Sequence, residues 1–249
     1  MDAGEMSRLA EALKNEDANV RWGAVSALAQ AADAGDDLSS AVSSLAEALA
    51  DPQAEIRARA AYTLVSMAEH GGDIFPALSA LSRALSDEVE DVRREAVWAL
   101  YCLAYAGKEV AEALLGWEKS LSDRSRSVRG NGALGLTLHY LNRGEEEKAR
   151  ALLEGKDGTV QFGAAWGHTD HYSQTKKRAE LQALMKRIRQ GLVDVSIRDG
   201  LAGSIHWARE RGEDISFELG AVEELLAQAQ DELAQAPLYG ILMKLKRGD

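Results

Sequence analysis

Cysteine and proline are nearly absent from this chain, which has 1 and 3 of them among 249 residues. One cysteine excludes a disulfide framework. Aromatic residues are sparse too, at 6% against a hydrophobic content of 46%, so the apolar mass is mainly alanine, leucine and valine. That composition points to helices and away from a large all-β domain. No apolar run approaches the roughly 20 residues that a membrane-spanning helix needs. The opening segment MDAGEMSRLAEALKNED lacks the basic and then apolar stretches of a signal peptide, and the cytoplasm is the expected location. Positive charge is in deficit: the formal net charge is −11, which repels polyanions and disfavours nucleic acid as a partner. A Gly-rich phosphate loop, a Ser-His-Asp arrangement and cysteine pairs with metal spacing are all missing, so neither a cofactor nor a metal is expected.

What the chain does have is a repeat. An acidic or polar turn is followed by Val/Ile-Arg and then by small and apolar residues, at Val20-Arg21, Ile56-Arg57, Val92-Arg93 and Val128-Arg129, in uniform steps of 36. Weaker copies follow at Val160, Ile197-Arg198 and Ala234-Gln235, in steps of 32, 37 and 37. Seven units result, covering approximately 1–36, 37–72, 73–107, 108–143, 144–174, 175–212 and 213–249. Within each, an apolar helical stretch such as LAEALADP precedes the turn and a second helix follows the Val/Ile-Arg pair, which makes the unit a helical hairpin. The turns are marked by Asp17, Asp51-Pro52, Asp87 and Asp123, read as caps of the following helix, and by Gly71-Gly72, Gly107 and Gly144. Counting from the Val/Ile, offsets 0, +4 and +8 carry Val20, Ala24 and Leu28, then Ile56, Ala60 and Leu64, then Val92, Ala96 and Leu100, one stripe at helical period that should be buried. A hairpin this small buries its apolar face only by stacking on the next.

The Asp, Val-Arg and Ala-x-x-x-Leu spacing resembles the HEAT-repeat family in its short bacterial, phycobilisome-lyase-like form. The likeness runs over almost the whole chain, with Gln161 in place of the arginine in the fifth unit and Ala234-Gln235 in the seventh. It implies an all-α fold, a right-handed α-solenoid of about seven hairpins in one domain, with first helices on the convex side and second helices lining the concave side. The arginines at offset +1, namely Arg21, Arg57, Arg93, Arg129 and Arg198, are expected to pair with turn aspartates of their own or the adjacent repeat rather than to form an anion ladder.

Offsets +2, +6 and +10 fall away from the buried stripe and should face the concave groove. Trp22 and Phe162 stand at +2, Tyr62, Trp98 and Trp166 at +6, and Trp207 at +10, the kind of large side chain that anchors a partner. Leu134 lies between Trp98 and Trp166 in the fourth unit. Asp170, four residues after Trp166, would set a carboxylate beside an aromatic platform, a pairing similar to that of HEAT-like DNA glycosylases. His139, His168 and His171 could converge, but offset +11 is otherwise apolar, so they read as packed histidines. The His-Glu pairs of HEAT-type di-iron hydroxylases have no counterpart. Cys102, at +10, has no histidine on its helix to act as a base. The basic stretch Lys176, Lys177, Arg178, Lys186, Arg187 and Arg189 belongs to a first helix and reads as a solvated face.

The sequence thus reads as a non-enzymatic binding or scaffold module presenting an aromatic, acidic groove to a protein segment or a small ligand. Residues 1–120 hold 10 basic and 21 acidic residues against 19 and 19 in 121–249, so the first half favours basic partners. A bilin-lyase-like chromophore attachment factor is the alternative that the family resemblance suggests, and a DNA-base glycosylase is the third.

Overall fold

Each turn in the first half of the chain starts a helix in the same way. The carboxylate of Asp51 accepts the N–H of Gln53, that of Asp87 accepts the N–H of Val89, and that of Asp123 accepts the N–H of Ser125, each at 2.8 Å. Asp17 is out of step with these: it caps its helix directly, accepting from Asn19, and the position corresponding to Asp51 is held by Asn15. The difference has a physical reason. Asp51, Asp87 and Asp123 also receive an arginine from the preceding repeat, whereas Asn15 belongs to the first hairpin and has none to hold. The second helices end on a glycine in the left-handed region, Gly71 at φ 83° and Gly107 at φ 71°, with Gly35 and Gly144 matching them. The Gly71 N–H reaches the Ala68 carbonyl and the Gly72 N–H the Met67 carbonyl, the paired closure that satisfies a helix's last free carbonyls.

The computed structural model describes residues 2–175 together with Ser216 and Gly220. Ten α-helices occur among the described residues: α1 Ala3–Ala12, α2 Ala18–Asp33, α3 Val42–Ala48, α4 Ala54–Glu69, α5 Leu78–Ala84, α6 Glu90–Tyr105, α7 Leu114–Ser120, α8 Arg126–Asn142, α9 Glu146–Glu154 and α10 Gly158–Thr175. The described residues contain no strand, and no helix among them is long and apolar enough to cross a membrane. Among the described residues the architecture is all-α, built of helical hairpins that stack on one another within the first unit in the manner of a solenoid. Ile197-Arg198, Trp207, Ala234-Gln235, the basic stretch from Lys176 to Arg189, the sixth unit and, apart from Ser216 and Gly220, the seventh lie outside the described residues.

The chain divides into two compact units, Met1–Gly135 and Leu136–Asp249, with the boundary inside α8. In the first unit α2 packs along α4 and α4 along α6, while 3-10 turns at Phe75–Ala77 and Ala111–Ala113 wedge between the first helices α3, α5 and α7. The second helices thus form one closely packed row, and the first helices a second row beside it. Its core is the stripe read from the sequence: Ile56, Ala60, Leu64, Val92, Ala96, Leu100 and Val128 are buried. Val20 is the exception at 40% exposure, because the first hairpin has a neighbour on one side only. In the second unit α9 packs on α10 and buries Ala149, Leu153, Val160 and Ala164.

Candidate interaction surface

The part of each second helix left open by the stacking follows from helical geometry. On α4 it runs through Glu55, Arg59, Tyr62 and Glu69, and on α6 through Asp91, Glu95, Trp98, Cys102 and Tyr105, all exposed or half-buried. These positions are offsets −1, +3, +6, +10 and +13 from the buried Val/Ile, so the open stripe is wider than +2, +6 and +10 and reaches about one turn further at each end.

Polar tethers hold the aromatic side chains at this surface. The Tyr62 hydroxyl on α4 donates to Asp33 of α2 at 2.9 Å, and the Trp98 indole N–H on α6 donates to Glu69 of α4 at 2.9 Å. Both bonds span 29 residues, so one arrangement is made twice: an aromatic at +6 reaches back to the acid at +13 of the preceding repeat. Ser66 also donates to Asp33, at 2.8 Å. The bond to Asp33, together with partial burial and the acid's charge, raises the Tyr62 phenol above its ordinary value. Trp22, 40% exposed, and Tyr62 flank the Arg59 guanidinium, whose carbon lies 5.6 Å from each ring centroid. Trp98 in turn leans on Tyr101 at a centroid distance of 5.0 Å.

The row of surface aromatics stops at α8, where Leu134 is 1% exposed instead of continuing it. In the second unit Phe162 and Trp166 are half-buried and meet edge to face at 6.0 Å. Asp170 is 1% exposed, so its carboxylate belongs to the interior and not beside an open ring. His139, His168 and His171 are likewise buried. Burial, with a smaller contribution from the Glu69 charge, pushes the Cys102 thiol up to about 12, which leaves it a neutral thiol at physiological pH.

The arginine row is structural. Arg21 grips Asp51 through Nε at 2.6 Å and Nη2 at 3.1 Å, and Arg57 with Asp87 and Arg93 with Asp123 repeat the fork at 2.7 and 3.0 Å and at 2.7 and 2.9 Å. The remaining Nη1 of each donates to carbonyls of its own turn, as does that of Arg129 to the carbonyl of Asp123. Residues that sequence reasoning missed are Arg59, Asp33 and Glu69. The last two were detectable as the acids that recur at +13.

The repeats and their packing define an all-α helical-repeat protein. Residues 6–101, from α1 into α6, match the model of a family described as HEAT repeats, so the likeness drawn from the Val/Ile-Arg spacing holds over that stretch. No curated protein matches the chain. Among solved structures it is similar to a designed armadillo repeat protein in complex with peptide (KR)4, at 20% identity over 97% of this chain and 99% of that one, with a TM-score of 0.57. Similar too are computationally designed armadillo repeat proteins for modular peptide recognition, at 18% identity over 96% and 99% with a TM-score of 0.55. The complex of CpcE and CpcF of phycocyanin lyase from Nostoc sp. PCC7120 is similar at 19% identity over 96% and 94%, with a TM-score of 0.50. At these identities the likeness is one of fold.

Proposed function

We propose that this protein is a cytoplasmic binding module that takes a protein segment on the second-helix surface of its first unit, with Trp22, Tyr62 and Trp98 as anchors. The observation that carries the reading is the pair of inter-repeat tethers, Tyr62 to Asp33 and Trp98 to Glu69. A ring that served only to fill the core would be enclosed by apolar neighbours. These rings keep a polar edge fastened and stay half-exposed at the surface, which pre-organises them for contact at little entropic cost. The peptide held by one protein of similar fold supports a polypeptide as the partner. Phe162 and Trp166 offer a second aromatic pair in the other unit. The lyase-like alternative has the CpcE and CpcF likeness behind it but no residue of the first unit, and the glycosylase alternative loses Asp170 to burial.

Acrylamide quenching of single-tryptophan variants tests this without a known partner. Trp117, which is fully enclosed, supplies the internal reference. Trp22 and Trp98 should quench several times faster than Trp117, and quenching of both as slow as that of Trp117 defeats the reading.

A further inference from the structure

Arg59 shows what this surface does with a cation. Its guanidinium sits between the Trp22 ring of α2 and the Tyr62 ring of α4, at 5.6 Å from each, inside the ~6 Å over which a ring face attracts positive charge. The carboxylate of Asp33 lies at the far edge of the Tyr62 ring, bonded to its hydroxyl. The repeat of 36 carries this group of positions forward by one hairpin: Tyr62 becomes Trp98, Asp33 becomes Glu69, Arg59 becomes Glu95 and Trp22 becomes Ala58. The ring and the carboxylate are therefore kept, and the ring is now the type that attracts cations best. The internal cation is replaced by an acid, and the flanking ring by a methyl group.

The charges around Trp98 are not balanced from within. Glu69 is exposed, and its contact is the Trp98 indole N–H, which leaves carboxylate lone pairs open to solvent. Arg94, on the same helix as Trp98, is taken up by Asp91 at 2.6 Å and Glu95 at 2.8 Å. No arginine or lysine among the described residues stands over the Trp98 ring as Arg59 stands over Tyr62. The surrounding half of the chain is acidic, with 21 acidic against 10 basic residues in 1–120.

We propose that Trp98 and Glu69 form a seat for one cationic side chain of a partner protein segment, arginine above lysine, and that Arg59 fills the equivalent seat between Trp22 and Tyr62 from within the chain. Arginine is preferred because a planar guanidinium can lie on the indole face while its N–H groups donate to the carboxylate beside it, which a compact ammonium cannot do together. Arg59 acts as a plug, and a segment meets one open seat instead of two. The inference rests on the proposed protein-binding role of this surface.

The test is a titration of labelled alternating arginine–alanine, lysine–alanine and glutamate–alanine peptides, with binding read by fluorescence anisotropy and folding by the melting temperature. The arginine peptide should bind more tightly than the lysine peptide, and the glutamate peptide least. Glu69→Gln and Trp98→Leu should each weaken the arginine peptide by about 5-fold, the scale of a cation–π contact and one charge-assisted bond. Glu47→Gln, on α3 and away from this surface, should not. Arg59→Ala should tighten binding by about 2- to 5-fold by opening the second seat, while Arg83→Ala, an equal change of charge on α5, should leave it as it was. Equal losses from Glu69→Gln and Glu47→Gln would mean diffuse attraction and overturn the seat. Equal effects of Arg59→Ala and Arg83→Ala would overturn the plug. If Trp22 and Trp98 quench readily but all three peptides bind alike, this inference fails while the binding role stands. If neither tryptophan is accessible, the role itself fails.

Discussion

One pair of residues in the fourth hairpin shows how a repeat tolerates a large side chain. Trp117 of α7 is fully buried, and a Cβ placed at Gly135 of α8 would overlap its ring. The same two positions hold Leu81 and Ala99 one repeat earlier and Leu45 and Thr63 two repeats earlier, so the extra volume of tryptophan is matched by loss of the methyl at Gly135. Ser120 and Gly132 are matched in the same sense, standing where Ala84 and Ala96 stand before them. Gly135→Ala should therefore destabilise the protein, since an overpacked core costs about 1–3 kcal/mol against the ~1 kcal/mol that alanine gains over glycine in a helix. Trp117→Leu alone should cost about 2 kcal/mol through the cavity it leaves. The double variant restores the arrangement of the third repeat and should return close to the parent stability. Urea unfolding of the four proteins checks this, and simple addition of the two losses would show that the residues are not coupled.

At the level of the helix, the aspartates of the turns join two tasks that a single sequence does not separate. Asp51, Asp87 and Asp123 each start their own second helix and hold the arginine of the repeat before, whereas Asp17 starts a helix only. The period of 36, the buried stripe and the pairing of arginine with a turn acid were all legible, because each follows from residue type and spacing. The two-residue offset of Asp17 was not, since a capping acid and a bridging acid look alike until the arginine's reach is known. Asp87→Asn keeps an acceptor for the Val89 N–H but takes from the largely enclosed Arg57 its close, forked charge partner, leaving only the exposed Glu88 at 3.5 Å, and should cost about 2–3 kcal/mol. Asp17→Asn, at an exposed cap where asparagine serves as well as aspartate, should cost well under 1 kcal/mol. Burial alone would raise the Asp87 and Asp123 carboxyls, but Arg57 or Arg93 and a helix N–H outweigh it and hold both below the ordinary value of 3.8. Their folded values lie under the unfolded ones, so this stability is complete above the unfolded value and is lost as pH falls through the folded one. The melting temperature should be level from about pH 7 to pH 5 and fall below about pH 4, with a smaller acid fall in Asp87→Asn.

Across the whole molecule, charge is the property that the sequence made plainest and the one whose consequence is felt at longest range. The aromatics at +6 were also visible as a row, but their tethers were not, because Asp33 and Glu69, at +13, lie about one turn beyond the last position that periodicity marks as facing outward. Nor was the gap at Leu134, whose exposure depends on packing and not on its place in the repeat. The net charge of −11 is carried by the first 120 residues, while 121–249 are balanced. For a basic partner this sets up two separable effects: a field that gathers it toward the first unit and a local seat that keeps it. A field acts on approach and is screened by salt, with a Debye length that shrinks from about 30 Å at 0.01 M to about 3 Å at 1 M. Stopped-flow mixing with the arginine–alanine peptide should show an association rate that falls by about 10-fold or more over that range, with a much smaller change in the dissociation rate. Trp98→Leu should do the reverse, speeding dissociation and leaving association within about 2-fold, because a short-range contact is made only after encounter. An association rate indifferent to salt would remove the field from the account, and a Trp98→Leu effect confined to association would remove the seat.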